Sequence, residues 1–255
     1  MGAEKLLKEK YFMITFELQQ MVPAKLPYYG PMIHGWLADA IYQDETLWKI
    51  FFRNPKVDVR PYFFWTETKG NTHYVRIVLL KPATRYVRDL VELIGVKQTS
   101  KLNGEECEIK KVRYEEIKIT PCDVKEGFVV QFLTPLSLMK DGKILYRPPT
   151  LSELTKATIR SVNRFCKYFY KDAYPIHTKK EPEEGDIRTF EIAPYTWEYR
   201  RKGENKRFLL SGIRGQAVYS IKESNKEIGK ILSLLQVFQI GKWLSYGFGK
   251  VEVNT

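Results

Sequence analysis

A chain of 255 residues with 42 Lys and Arg against 30 Asp and Glu, a formal charge of +12, points to an anionic partner, either nucleic acid or an acidic membrane surface. No apolar run approaches the roughly 18 residues of a spanning helix, and the first ten residues lack an apolar stretch of signal-peptide length. The reading is therefore a cytoplasmic protein without a membrane partner, and RNA or DNA is favoured over lipid. Cys107, Cys122 and Cys166 are far apart and form no CxxC pair, which argues against a thiolate metal site and a disulfide framework.

In chain order, Tyr11 to Leu18 alternates as a strand. Met32 to Tyr42 follows as a helix, with Ile33, Trp36, Leu37, Ala40 and Ile41 at helical spacing. Leu47 to Phe52 is a second, short helix. Arg60 to Thr66 and Tyr74 to Leu80 are paired strands around Lys69-Gly70-Asn71. Ala83 to Gly95 is a helix stopped by its glycine, and Cys107 to Ile119 is a strand. The order is β-α-β-β-α-β, the ferredoxin-like arrangement.

The second half repeats it. Gly127 to Thr134 is a strand, and Ile144 to Arg147 is a short partner after a Lys140-Asp141-Gly142 turn. Thr150 and Glu153 make a capping box for a helix from Leu151 to about Tyr170. Ile187 to Arg200 and Lys206 to Ile221 form a long hairpin. Asn225 to Phe238 is a helix, and Phe248 to Val253 is the last strand. The fold class is α+β, two tandem ferredoxin-like (βαββαβ) domains, spanning 1–122 and 123–255.

Between that last helix and strand lies Gly241-Lys242-Trp243-Leu244-Ser245-Tyr246-Gly247-Phe248-Gly249. Glycine permits close backbone approach, and exposed amides in such a loop can cradle an anion. Lysine supplies charge for phosphate, and aromatics offer faces to bases. The same residues also suit a tight turn with a glycine bulge before an edge strand.

Three motifs in order now resemble one family. They are Leu133-Thr134-Pro135-Leu136 followed by Tyr146-Arg147-Pro148-Pro149-Thr150-Leu151-Ser152-Glu153-Leu154, then Leu210 to Tyr219, then the glycine-rich loop. Together they are similar to the C-terminal region of the CRISPR RNA-processing endoribonucleases, the Cas6 family of the RAMP superfamily. One departure is that Trp243 follows Lys242 where the family's signature often carries a further glycine. The resemblance implies side-by-side ferredoxin-like domains with RNA across their faces and the cleft between them. It implies cleavage of CRISPR repeat RNA without metal or cofactor, by attack of the 2′-hydroxyl on the adjacent phosphorus. The products would be a 2′,3′-cyclic phosphate and a 5′-hydroxyl. A homodimer, or association with a CRISPR interference complex, stays open, as does a non-catalytic RNA-binding RAMP subunit.

Such chemistry needs a base, an acid and cationic help. Histidine suits the first two because it titrates near neutrality. His34, at the start of the first helix, lies in the region where the family commonly places its catalytic histidine. Tyr28, Tyr29 and Lys49 are its candidate companions. His73 reads as a solvated turn residue and His177 as a surface one. For binding, Lys156, Arg160, Arg164 and Lys167 fall on one helix face. Arg200 and Arg201 crowd the tip of the long hairpin, and Arg214 sits between two glycines. In the loop, Gly241, Lys242, Gly247 and Gly249 complete the RNA-binding set. No metal site is expected.

Overall fold

The computed structural model describes residues 2–21, 30–53, 59–97, 99–102, 104–122, 124, 127–178, 186–200, 207–221 and 225–255. The chain opens with a short helix, α1 (Gly2–Leu7), then β1 (Tyr11–Gln20), α2 (Gly30–Ile41), α3 (Glu45–Phe51), β2 (Tyr62–Lys69), β3 (Thr72–Leu79), a 3-10 turn running into α4 (Val87–Gly95), β4 (Thr99–Leu102) and β5 (Glu105–Ile117). The second half runs β6 (Phe128–Leu136), a two-rung hairpin of β7 (Met139–Lys140) and β8 (Lys143–Ile144), α5 (Leu151–Phe169), β9 (Asp186–Arg200), β10 (Arg207–Ser220), α6 (Lys226–Ser233), two 3-10 turns (Leu234–Gln236 and Leu244–Tyr246) and β11 (Val251–Asn254).

The first sheet has the order β2-β3-β1-β5-β4 and the second β11-β6-β10-β9. Apart from the added edge strand β4, each is the antiparallel ferredoxin-like order, with the fourth strand beside the first and the third beside the second. The tandem fold read from the sequence is present. Two details differ. Ile144 to Arg147 does not join the second sheet, because the turn at Asp141 and Gly142 closes the separate β7–β8 hairpin. The strand expected from Cys107 starts earlier and folds back on β4.

Alternation along the first sheet decides how the halves meet. Ile14, Phe16, Leu18, Phe64, Val75 and Ile77 face α2 and α4 in one buried cluster. Tyr11, Phe63, Trp65, Val78 and Leu80 point to the other side and pack on Val162, Phe165 and Cys166 of α5, on Tyr170 just after it, and on Leu234 and Phe238. The N-terminal turns of the same α5 stripe (Leu151, Leu154, Ala157) cover the second sheet with Ile228 and Leu232 of α6. One helix, α5, therefore bridges the two halves, its first turns on the second sheet and its last turns on the first. The end of the first sheet's second face at Tyr11, Phe63 and Val78 is thus covered by α5, while β5 at its far side stays largely exposed.

Other groups tie the halves together. Lys5 of α1 donates to the Asp172 carbonyl at 2.8 Å, and α1 packs on α6. Lys250 is buried, donates to the Leu235 and Gln236 carbonyls at 3.0 and 2.8 Å, and lies over the Trp65 ring at 4.8 Å. Burial pulls its ammonium down to about 8. The α5 start is built as expected, with Thr150 and Glu153 capping each other's amides. Arg147 clamps the same carboxylate at 2.8 Å and holds it down at about 2.

His73 is a second correction. It is fully buried on β3, where neighbouring strands bring two partners to it. Its Nδ1 lies 2.9 Å from the Thr68 hydroxyl and its Nε2 2.9 Å from Gln20 Oε1. An amide oxygen only accepts, so Nε2 donates and Nδ1 accepts, which is the neutral ring. Burial pulls its pKa down to about 4. The unfolded chain binds this proton near 6.5, so it takes up a proton between pH 6.5 and 4 that the fold refuses. Stability then falls as pH drops through that window. Melting temperatures measured from pH 7 to pH 4 are expected to decline more steeply for the wild type than for His73→Asn; parallel curves would contradict the assignment.

Candidate nucleic-acid interface and active site

The site forms where the glycine-rich loop of the second half docks on the first. Gln239 starts the connection, donating from its side chain to the Phe64 carbonyl of β2 at 2.7 Å. This satisfies a group on an edge strand that the sheet leaves open. Gly241 (φ +94°) turns the chain so tightly that a Cβ there would stand 2.5 Å from the Ser137 carbonyl oxygen. Trp243 also takes a left-handed conformation (φ +62°). The Leu244–Tyr246 turn then packs on α2 and β2.

The loop's amides are largely used by the protein itself. Lys242 donates to the Ser137 carbonyl, Tyr246 to Trp243, Gly247 to Leu244 and Gly249 to Pro135, at 2.8 to 3.0 Å. Gly247 and Gly249 are buried, and a Cβ on Gly249 would fall 1.8 Å from the Ile240 carbonyl oxygen. These two glycines shape the loop. Gly241 and the exposed Lys242 are the ones that line the open side.

That side borders a cavity of about 530 Å³ between the halves, walled by Arg60 and Tyr62 from the first and Arg164, Lys242 and Ser245 from the second. His34, half-buried on α2, sits behind the Arg60 wall. Arg60 Nη1 lies 3.1 Å from His34 Nε2 and 3.3 Å from Nδ1, and also donates to the Tyr62 hydroxyl at 3.2 Å. A guanidinium has no acceptor, so the imidazole nitrogen that meets it accepts. Phe52 lies under the guanidinium at 4.8 Å. The His34 ring is wedged between Phe52 (5.3 Å) and Tyr246 (5.8 Å, edge-on). Burial raises the Tyr62 phenol above its ordinary value, against the pull of Arg60. Three cations and an imidazole thus converge on one cleft whose walls exclude part of the solvent, where charge acts more strongly than in water.

The expected residues divide as follows. Arg164, Gly241 and Lys242 meet at the cleft, and His34 reaches it only through Arg60. Lys156, Arg160 and Lys167 share an exposed face of α5 with Arg164. Lys49 is exposed on α3 and paired with Glu45 at 2.7 Å, outside the cavity wall. Arg214 is on the solvent side of the second sheet, bonded to the Leu133 carbonyl at 3.2 Å, beside Gln131 and Gln216. Tyr28, Tyr29 and Arg201 lie outside the described residues, as does the side chain of Arg200. Sequence reasoning missed Arg60 and the approach of Tyr246 to His34. Arg60 reads only as the start of a strand, and its histidine is 26 residues away. Among the described residues no helix is long and apolar enough to cross a membrane, and no cluster of three or more His, Cys, Asp or Glu could hold a metal.

Fold and cleft together define a tandem ferredoxin-like protein with a cationic groove between its halves. The family model of the CRISPR-associated endoribonuclease Cas6 matches residues 130–251, so the resemblance read from the motifs holds. Solved structures with the same fold include a Cas6 product complex (15% identity, covering 97% of this chain and 100% of that one, TM-score 0.64). Another is Thermus thermophilus Cas6 (12%, 95% and 98%, 0.62), and a third is the product of a Cas6-related gene from Pyrococcus furiosus (13%, 95% and 98%, 0.55). No curated protein matches the chain in sequence.

Proposed function

We propose that this chain is an endoribonuclease of the Cas6 kind, which cuts CRISPR repeat RNA to release guide RNAs. The observation that carries the reading is the convergence of His34, Arg60, Arg164 and Lys242 on one interdomain cleft, in a fold shared with a Cas6 structure described as a product complex and another described as a substrate-mimic complex. The two units are taken as 1–122 and 123–255, with α1 reaching across to the second.

In the proposed reaction Arg60 turns from His34 to the scissile phosphate, which frees the imidazole nitrogen that accepts from it here, and His34 acts as general base. It takes the proton of the ribose 2′-hydroxyl as that oxygen bonds to the neighbouring phosphorus. The bond from phosphorus to the 5′-oxygen breaks, and the departing oxygen picks up a proton. A cyclic phosphate and a 5′-hydroxyl remain. Arg60, Arg164 and Lys242 hold the phosphate and offset the charge that grows on its oxygens in the transition state. The reaction is proposed to need no metal.

The test is incubation of cognate repeat RNA with the purified protein in EDTA, followed by end-group analysis. A single cut leaving a 2′,3′-cyclic phosphate is the expected result. Tight binding with intact RNA would instead identify a non-catalytic RNA-binding subunit. Phosphate contacts carry a further signature, because each cation that neutralises a phosphate releases a counterion. Lys242→Ala and Arg164→Ala are each expected to lower the slope of log affinity against log salt by about 0.7 to 1. Unchanged slopes in filter-binding titrations would remove these residues from the interface.

A further inference from the structure

Lys10, Lys81 and Arg60 lie beyond the same end of the first sheet. The register pairs Phe12 with Leu79 and Leu79 with Tyr62, and the Leu80 amide bonds the Pro61 carbonyl. Around this end, next to the cleft, is a second groove of about 630 Å³ lined by Lys5, Lys8, Lys10, Lys81 and Arg85, with only Glu9 and Asp172 as acids. Lys5, Lys10 and Lys81 have acidic neighbours: Asp172 at 3.8 Å, Glu116 at 3.4 Å and Glu9 at 2.5 Å. Lys8 and Arg85 add exposed charge that those acids do not match.

Aromatic rings are interleaved with the cations. Phe12 lines the groove and touches the exposed Tyr114 at 6.5 Å between ring centres. Arg85 lies 4.7 Å over the partly exposed Tyr86, and Lys81 lies 5.9 Å over Tyr170, whose ring is buried and anchors the groove floor. The end of α5 joins the two grooves. Arg164 faces the cleft, Lys167 is exposed one turn later, and the Tyr170 hydroxyl accepts from the Lys81 amide at 3.0 Å. From Arg164 to Lys171 the helix and its end advance about 10 Å. Positive charge that tracks a backbone, with flat rings for bases, is the composition of a single-strand platform.

We propose that this second groove binds the single-stranded RNA flanking the repeat, so that the transcript runs from the cleft over the end of α5 onto Lys81, Lys10, Lys8 and Arg85. The inference rests on the reading of the cleft as an RNA site, but it concerns binding alone.

The test compares cognate repeat RNA, made uncleavable by a 2′-deoxy nucleotide at the scissile position, with the same RNA carrying a short oligouridine extension at its 5′ or 3′ end. Affinities are measured in EDTA for the wild type, for the triple variant Lys8→Ala, Lys10→Ala and Arg85→Ala, and for the charge-keeping triple Lys8→Arg, Lys10→Arg and Arg85→Lys. One of the extensions is expected to tighten binding to the wild type severalfold. The alanine variant should lose that gain, with a salt slope lower by about 2 on extended RNA, and should bind the bare repeat as before. The charge-keeping variant should restore the gain.

An extension that adds nothing, a gain that survives the alanine substitutions, or an equal loss on bare and extended RNA would overturn the inference. Because binding is read on RNA that cannot be cut, all-ribose bare repeat that is bound but left intact would overturn the catalytic reading and leave this one standing.

Discussion

His34→Ala is expected to slow cleavage of repeat RNA by about 10²- to 10⁴-fold, the usual contribution of one positioned proton-transfer group, while affinity for the RNA stays within about threefold on the salt-dependent phosphate contacts that remain. The division follows from the geometry. His34 lies behind Arg60 and not on the cavity wall, wedged between Phe52 and Tyr246. It contributes little to the charged surface that holds RNA. Arg60, Arg164 and Lys242 make that surface and are intact in the variant. Alanine at 34 also keeps α2 helical, since alanine has the highest helix propensity. Single-turnover rates and filter binding, measured together, check it. An unchanged rate would refute the base, and a collapse of binding would make His34 a scaffold for Arg60.

Phe238→Ala is expected to destabilise the protein by about 3–5 kcal/mol, lowering its melting temperature by on the order of 10 °C. Phe238 is fully buried, with Tyr11, Phe63, Phe165 and Tyr170 around it at ring-centre distances of 6.2, 5.9, 6.0 and 6.5 Å. Two of these rings come from the first half, one from α5 and one from the residue that ends it. No single neighbour can collapse into the space that deletion would leave, so the cavity cost adds to the transfer cost. The next residue, Gln239, starts the loop that builds the cleft, so cleavage should fall with stability on warming. Thermal unfolding of the two proteins decides it; a loss under about 1 kcal/mol would show that the halves do not depend on this ring.

Much of the fold was legible because alternation and helical spacing are strong signals in β1, β2, β3, α2 and α5, and because Thr150 and Glu153 mark a helix start without ambiguity. What escaped was tertiary in origin. Six residues of α1 carry less than two helical turns of pattern, and that helix is held by α6 and Asp172 from the far end of the chain. His73 follows a turn in sequence, yet Gln20 and Thr68 on neighbouring strands enclose it. The glycine-rich loop was found, but its chemistry was only half read. Counting glycines could not show that Ser137, Leu244 and Pro135 would take its amides, nor that Lys242 would be the part left facing the cavity. Arg60 could be recognised only once folding had brought it to His34.

The core that α5 and Phe238 share with the first sheet has a consequence for how the proposed substrate would enter. Jaws hinged on a slender linker open by swinging. Here such a swing would have to peel Phe63, Trp65 and Val78 away from Phe165 and Phe238, at a cost comparable to unfolding. The groove is thus a fixed mould, and under the proposed function the accommodation would fall to the guest, a strand that can unstack and bend to fit it.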